Sequence, residues 1–191
     1  TVLLGCGAAA ALGVTFYDRA GKPFVPVGGT LHDIDRICAD GMDPAVRRIS
    51  VVTMCDIDNP LCGPTGAAAV FGPQKGADSA MVQRLNAGLF HLAQVLRRDL
   101  GADVLNLPGG GAAGGFGAGA AAFFGSPLRM GIDVVLDLTR FDTHAAGADL
   151  IITGEGKLDS QSLRGKVVVG VARRARVLGV PVAALVGGSE T

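Results

Sequence analysis

The chain has 191 residues, 49% hydrophobic and 18% charged, which suits the core of one large domain or parts of two and excludes a disordered chain. Lysine plus arginine and aspartate plus glutamate each number 17, so no basic excess offers a face to nucleic acid or to an acidic membrane surface. No apolar run reaches the roughly 18 residues of a membrane span, because AAGGFGAGAAAFFG is short and glycine-rich.

Taken in chain order, Leu3–Leu12 reads as the end of a helix closed by Gly13, followed by a strand over Val14–Tyr17 and a turn over Asp18–Pro23. A short helix is expected over Leu31–Ile37. The β-branched run Ile49–Cys55 predicts a strand whose exit carries DIDNPLCGPTG, and Gly66–Phe71 a helical turn broken by GPQKG. Val82, Leu85, Leu89, Leu92 and Leu96 recur at helical spacing after a candidate cap at Asp78 or Ser79, with Arg97 and Arg98 in the last turn. That stripe is expected to pack into the core.

The glycine-rich loop PGGGAAGGFGAG (Pro108–Gly119) leads into Ala120–Phe124, and Ile132–Leu138 is ambiguous between helix and strand. A strand over Leu150–Thr153, a helix over Gln161–Leu178 and a strand over Val182–Val186 make a βαβ unit, hence a parallel pair. The fold class is therefore α/β, with a parallel βαβ-containing sheet flanked by helices. The chain starts at Thr1 inside an apolar stretch and reads as the interior of a longer protein.

In open α/β sheets ligands gather beyond the carboxyl ends of strands. Two segments fit: Asp56, Asp58 and Asn59 after one strand, and Glu155, Asp159 and Gln161 after another. Carboxylates there can hold Mg²⁺, which takes oxygen ligands and keeps waters and phosphates, or can accept a proton from a substrate hydroxyl. Capping of turns and helices is the bland alternative for each.

GGGAAG at Gly109–Gly114 formally satisfies GxGxxG, but Val104–Pro108 makes a poor strand ahead of it, so bare backbone N–H groups for phosphate and tight helix packing both stay open. No Walker A motif exists, since Val167 follows Gly165-Lys166. Of only four lysines, Lys75, Lys157 and Lys166 fall in glycine-flanked polar loops, where an ammonium can neutralise phosphate. His32, His91 and His144 are isolated and expected to be structural. Cys6, Cys38, Cys55 and Cys62 form no CxxC pair, which points to buried structural thiols, no zinc, and a reducing, cytoplasmic compartment.

CDIDNPLCGPTGAAAVFGPQKGA, PGGGAAGGFGAG and GADLIITGEGKLDSQSLRGK together resemble the signature segments of the type I glycerate kinase family, in order and spacing over essentially the whole chain. The resemblance implies ATP-dependent phosphorylation of a hydroxyl of D-glycerate with Mg²⁺, in a fold of two α/β domains, the second inserted into the first. It places 1–145 in the inserted domain and 146–191 in the parallel-sheet domain. It further implies a small-molecule substrate, with no nucleic acid or membrane partner and room for a homo-oligomer.

Carried over by residue, Asp56, Asp58, Asn59, Gln74 and Gln161 face the substrate, and Asp56 and Asp58 double as candidate Mg²⁺ ligands. Asp159 or Glu155 orients or deprotonates the hydroxyl. Lys75 neutralises phosphate charge with Gly109, Gly110, Gly111, Gly114, Gly115 and Lys166. The start departs from the family pattern: Val2 and Leu3 stand where the family carries Asn and Asp, which would impair a substrate contact there. An NAD(P)-dependent oxidoreductase built on GGGAAG and an inactive small-molecule-binding fragment are the alternatives.

Overall fold

The computed structural model describes residues 4–158 and 167–189. They belong to two compact units, Thr1–Leu128 and Arg129–Thr191.

The first unit opens with α1 (Cys6–Ala11) and β1 (Thr15–Tyr17). Asp18 turns the chain, its Oδ1 accepting the N–H groups of Ala20 and Lys22 at 2.9 Å each, and β2 (Pro23–Phe24) returns antiparallel to β1. On the other edge of β1 lies β3 (Arg36–Cys38), also antiparallel, with Phe16 opposite Ile37. The expected helix at Leu31–Ile37 is therefore a correction: a 3₁₀ helix spans Gly28–Asp33 and the chain then extends into β3. Tertiary pairing overrides local propensity here, because Ile37 gains both a strand partner and a carboxylate.

That carboxylate is Asp99, near the end of α3 (Ser79–Leu100), the longest described helix. Asp78 caps it by accepting the Met81 N–H at 2.7 Å, and Gly101 closes it in the left-handed conformation at φ 68°. Leu89, Leu92 and Leu96 are fully buried, and Gly88 lets Leu31 lie against the helix. His91 Nε2 sits 2.6 Å from the Ile34 carbonyl, a structural role as expected. The core is completed by α2 (Ala67–Phe71) and α4 (Ala112–Phe124), with Phe16 and Phe123 edge to face at 5.9 Å.

The expected strand at Ile49–Cys55 shrinks to β4 (Thr53–Met54), pinned where the Thr53 N–H donates to the Pro127 carbonyl and its hydroxyl meets Ser126 Oγ at 2.7 Å. A second two-residue strand, β5 (Leu128–Arg129), follows Pro127.

The second unit holds α5 (Gly131–Leu138), α6 (Phe141–Ala145), β6 (Ile151–Glu155), α7 (Val167–Leu178) and β7 (Val182–Val186). Strands β6 and β7 are parallel, in register from Ile151 opposite Val182 to Glu155 opposite Val186, so the βαβ reading holds. Arg174 draws α5, α6 and α7 together, with its guanidinium 2.8 Å from Asp137 Oδ1 and from Asp142 Oδ2.

Asp99 is the polar tie of the first unit. Its Oδ2 accepts the Ile37 N–H at 2.7 Å, and its Oδ1 accepts Arg98 Nε at 2.6 Å, while Arg98 also reaches the Asp35 carbonyl. The hydrogen bond from Arg98 holds the Asp99 carboxyl below the usual carboxylate range. Its contribution is thus present above the unfolded pKa and fades as pH falls through the lower folded one. Asp99→Ala is expected to cost about 2 kcal/mol of unfolding free energy at pH 7, measured by urea denaturation, and the difference from the parent narrows at pH 3 and below.

Candidate active site

The exit of β4 carries the first group of candidate residues. Asp56 and Asp58 are exposed on an irregular loop, while Asn59 is half-buried and already employed: its Nδ2 donates to the Thr65 carbonyl at 2.8 Å. That bond closes the loop over NPLCGPT. Asn59 is therefore a loop-forming residue as well as a candidate substrate contact.

The glycine loop lies directly against this segment. The Gly111 N–H donates to the Asn59 carbonyl at 2.9 Å, and a Cβ on Gly111 would stand 2.3 Å from the Pro60 carbonyl oxygen. Gly109, at φ +79°, leaves room for the Cys55 sulfur, which a Cβ there would approach to 2.8 Å. The two backbones thus touch along a seam that only hydrogen side chains permit.

Gly109, Gly110, Gly111, Gly114 and Gly115 are all buried. The N–H groups of Gly110, Gly111 and Gly115 already donate to the carbonyls of Leu107, Asn59 and Gly111. Ala113, Gly114 and Gly115 are consecutively left-handed and put a sharp break in the first turn of α4, with Ala113, the non-glycine, at φ 50°. Residues 101–104, ahead of the loop, take no regular secondary structure and turns lie at 105–106 and 108–111, so the strand–turn–helix setting of a dinucleotide fingerprint is absent.

Gln74 and Lys75 are exposed on a one-turn 3₁₀ helix, Pro73–Lys75, also in the first unit. Glu155 ends β6 in the second unit, half-buried, with its carbonyl accepting the Gly187 N–H at 3.2 Å. Asp159, Gln161 and Lys166 lie outside the described residues, as do Val2 and Leu3.

Asp56 and Asp58, on either side of Ile57, offer hard carboxylate oxygens, a donor type suited to Mg²⁺. Among the described residues no three His, Cys, Asp or Glu side chains gather as a metal-binding group. All four thiols are free, and burial pushes Cys6 up to about 12 and Cys62 to about 11, which keeps both protonated. The seam glycines and the Asn59 amide bond are features that residue type and spacing could not reveal, since neither specifies which backbone a loop faces.

The glycerate kinase family profile matches residues 1–191. A glycerate kinase of Bacillus cereus (strain ATCC 10987 / NRS 248) is 50% identical over 185 residues, covering 97% of this chain and 48% of that protein. A glycerate 2-kinase of Escherichia coli (strain K12) is 42% identical over 183 residues, covering 96% and 48%. A crystal structure of a provisionally assigned glycerate kinase 2 from Salmonella typhimurium LT2 superimposes with a TM-score of 0.88 at 44% identity, covering 100% of this chain and 51% of that one. The chain spans about half the length of the curated relatives it matches.

Two glycines separate crowding from freedom. Gly111→Ala, at an ordinary negative φ of −76°, must push the acidic loop off the glycine loop and is expected to cost at least about 2 kcal/mol by chemical denaturation. Gly7→Ala, in α1 with nothing within 4 Å of its Cβ, is expected instead to be neutral or to stabilise by about 0.5 kcal/mol.

Proposed function

The chain belongs to the glycerate kinase family, and from that premise we propose that the protein it forms transfers the γ-phosphoryl group of ATP to a hydroxyl of D-glycerate. The observation that carries this reading is the seam joining the Asp56–Asn59 loop to the glycine loop, which sets the backbone of the acidic segment directly against the glycine backbone. Phosphoryl transfer asks for that kind of arrangement, because its catalysis is mostly positioning and electrostatics.

In the reaction a glycerate oxygen attacks the γ-phosphorus, its proton passes to a carboxylate, and ADP leaves. Asp159 or Glu155 takes the proton. Asp56, Asp58, Asn59, Gln74 and Gln161 bind and orient glycerate, and Asp56 and Asp58 are also the residues that would hold Mg²⁺, whose charge would offset that of the phosphates. Lys75 and Lys166 neutralise the phosphates. Gly109, Gly110, Gly111, Gly114 and Gly115 shape the phosphate side, and the engagement of three of their N–H groups within the protein favours lysine over backbone donation as the source of positive charge there. The name of the Escherichia coli relative favours the 2-hydroxyl as acceptor.

None of the described helices is long and apolar enough to cross a membrane. A substrate that is a small organic acid in water agrees with that, and the cytoplasm is the proposed compartment.

The test uses a protein of the relatives' length carrying this segment. ADP formation should depend on D-glycerate and Mg²⁺, and the product should be identifiable by phosphorus NMR as the 2-phosphate. Lys75→Ala and Asp159→Asn are each expected to lower kcat about a hundredfold or more. Losses within a few-fold would remove both residues from their assigned roles.

A further inference from the structure

Cys55 stands where β4 ends and the acidic loop begins, buried to 8% exposure. Its thiol lies 3.2 Å from the Ile57 carbonyl oxygen and 3.7 Å from that of Gly109. One S–H proton is thus shared between the loop carrying Asp56 and Asp58 and the loop carrying the glycines. The half-buried thiols have different partners: Cys62 bonds to the Asn86 carbonyl and Cys38 to the Asp40 carboxylate.

The surroundings make the sulfur a spacer as well as a donor. The Gly109 Cα packs on it so closely that a Cβ would fall 2.8 Å away. Gly109 is itself locked to α4, since a Cβ on Gly117 would stand 2.3 Å from the Gly109 carbonyl oxygen and the Ala118 N–H donates to the Gly110 carbonyl at 3.0 Å. On the far side, the Gly111 to Asn59 hydrogen bond repeats the join. β4, the acidic loop, the glycine loop and α4 are thereby tied in series, with the Cys55 sulfur at the centre of the chain of contacts.

We infer that Cys55 is a positioning residue that fixes the separation of the acidic loop from the glycine loop, so that the two hold and shift as one body. The coupling itself is a property of this fold. Its kinetic consequence rests on the reading of the protein as a glycerate kinase, with Asp56, Asp58 and Asn59 on the substrate. A thiol suits the position: its sulfur is large enough to reach two carbonyls that a hydroxyl oxygen would span less well, and a weak donor lets the contact be shared rather than captured by one loop.

The experiment compares Cys55→Ala, Cys55→Ser and, as a control for lost core packing, Val95→Ala on α3, all in the family-length protein. Amide exchange at Gly111 and steady-state kinetics are read together. Cys55→Ala is expected to accelerate Gly111 exchange about tenfold beyond any change in Val95→Ala, and to raise KM for glycerate roughly fivefold or more. Cys55→Ser, which keeps a donor, recovers at least half of both effects. Val95→Ala lowers Tm yet leaves KM alone.

Gly111 exchange no faster in Cys55→Ala than in Val95→Ala would overturn the coupling. Accelerated exchange with an unchanged KM in an active parent would overturn the positioning role. Accelerated exchange in a parent that shows no glycerate-dependent ADP formation supports the coupling while sinking the glycerate reading, so the two failures are told apart.

Discussion

Close approach of two backbones governs this molecule's candidate site. Gly111 donates its N–H to Asn59 with no space for a Cβ, and Gly109 leaves its Cα against the Cys55 sulfur. Everything around that seam depends on it. The acidic loop leaves a strand of only two residues, too short to aim side chains by itself, and takes its path from the glycine loop beside it. The glycine loop in turn is held by α4, whose first turn breaks sharply through three left-handed residues. Rigid backbone on one side and exposed carboxylates on the other is a sound basis for chemistry in which placement of charge decides the rate.

The second unit contributes a different element. Its parallel β6–β7 pair ends at Glu155 and opens into residues the family signature also marks. Parallel strands are ordinarily covered on both faces, yet Ile152 and Leu185 are 65% and 71% exposed. The first unit, by contrast, closes its own core around α3, with Leu89, Leu92 and Leu96 wholly buried.

Much of this was legible in the sequence where local and tertiary preferences agree. The stripe from Val82 to Leu96, the Asp78 cap and the basic last turn at Arg97 and Arg98 all describe one helix, and the β7 boundaries match the apolar run at Val182–Val186. Legibility ended where a distant partner decided the conformation. Ile37 joins a strand because β1 and the Asp99 carboxylate take up its backbone, which no window around Leu31 reveals. The glycine clusters pointed to a ligand loop without telling which N–H groups face the protein. The N–H groups of Gly110, Gly111 and Gly115 do, bonding to the carbonyls of Leu107, Asn59 and Gly111. The signature after β6 was equally conspicuous, but Asp159, Gln161 and Lys166 fall outside the described residues.

The most direct test of the central claim is residue-resolved binding by NMR, titrating D-glycerate and then a non-hydrolysable Mg²⁺–ATP analogue into the family-length protein. Shifts concentrated at Asp56, Asp58, Asn59, Gln74, Lys75 and the Gly109–Gly115 backbone are predicted, with Gly111 and Asn59 moving together because one hydrogen bond joins them. Saturable binding of both ligands that leaves these residues unperturbed would contradict the account.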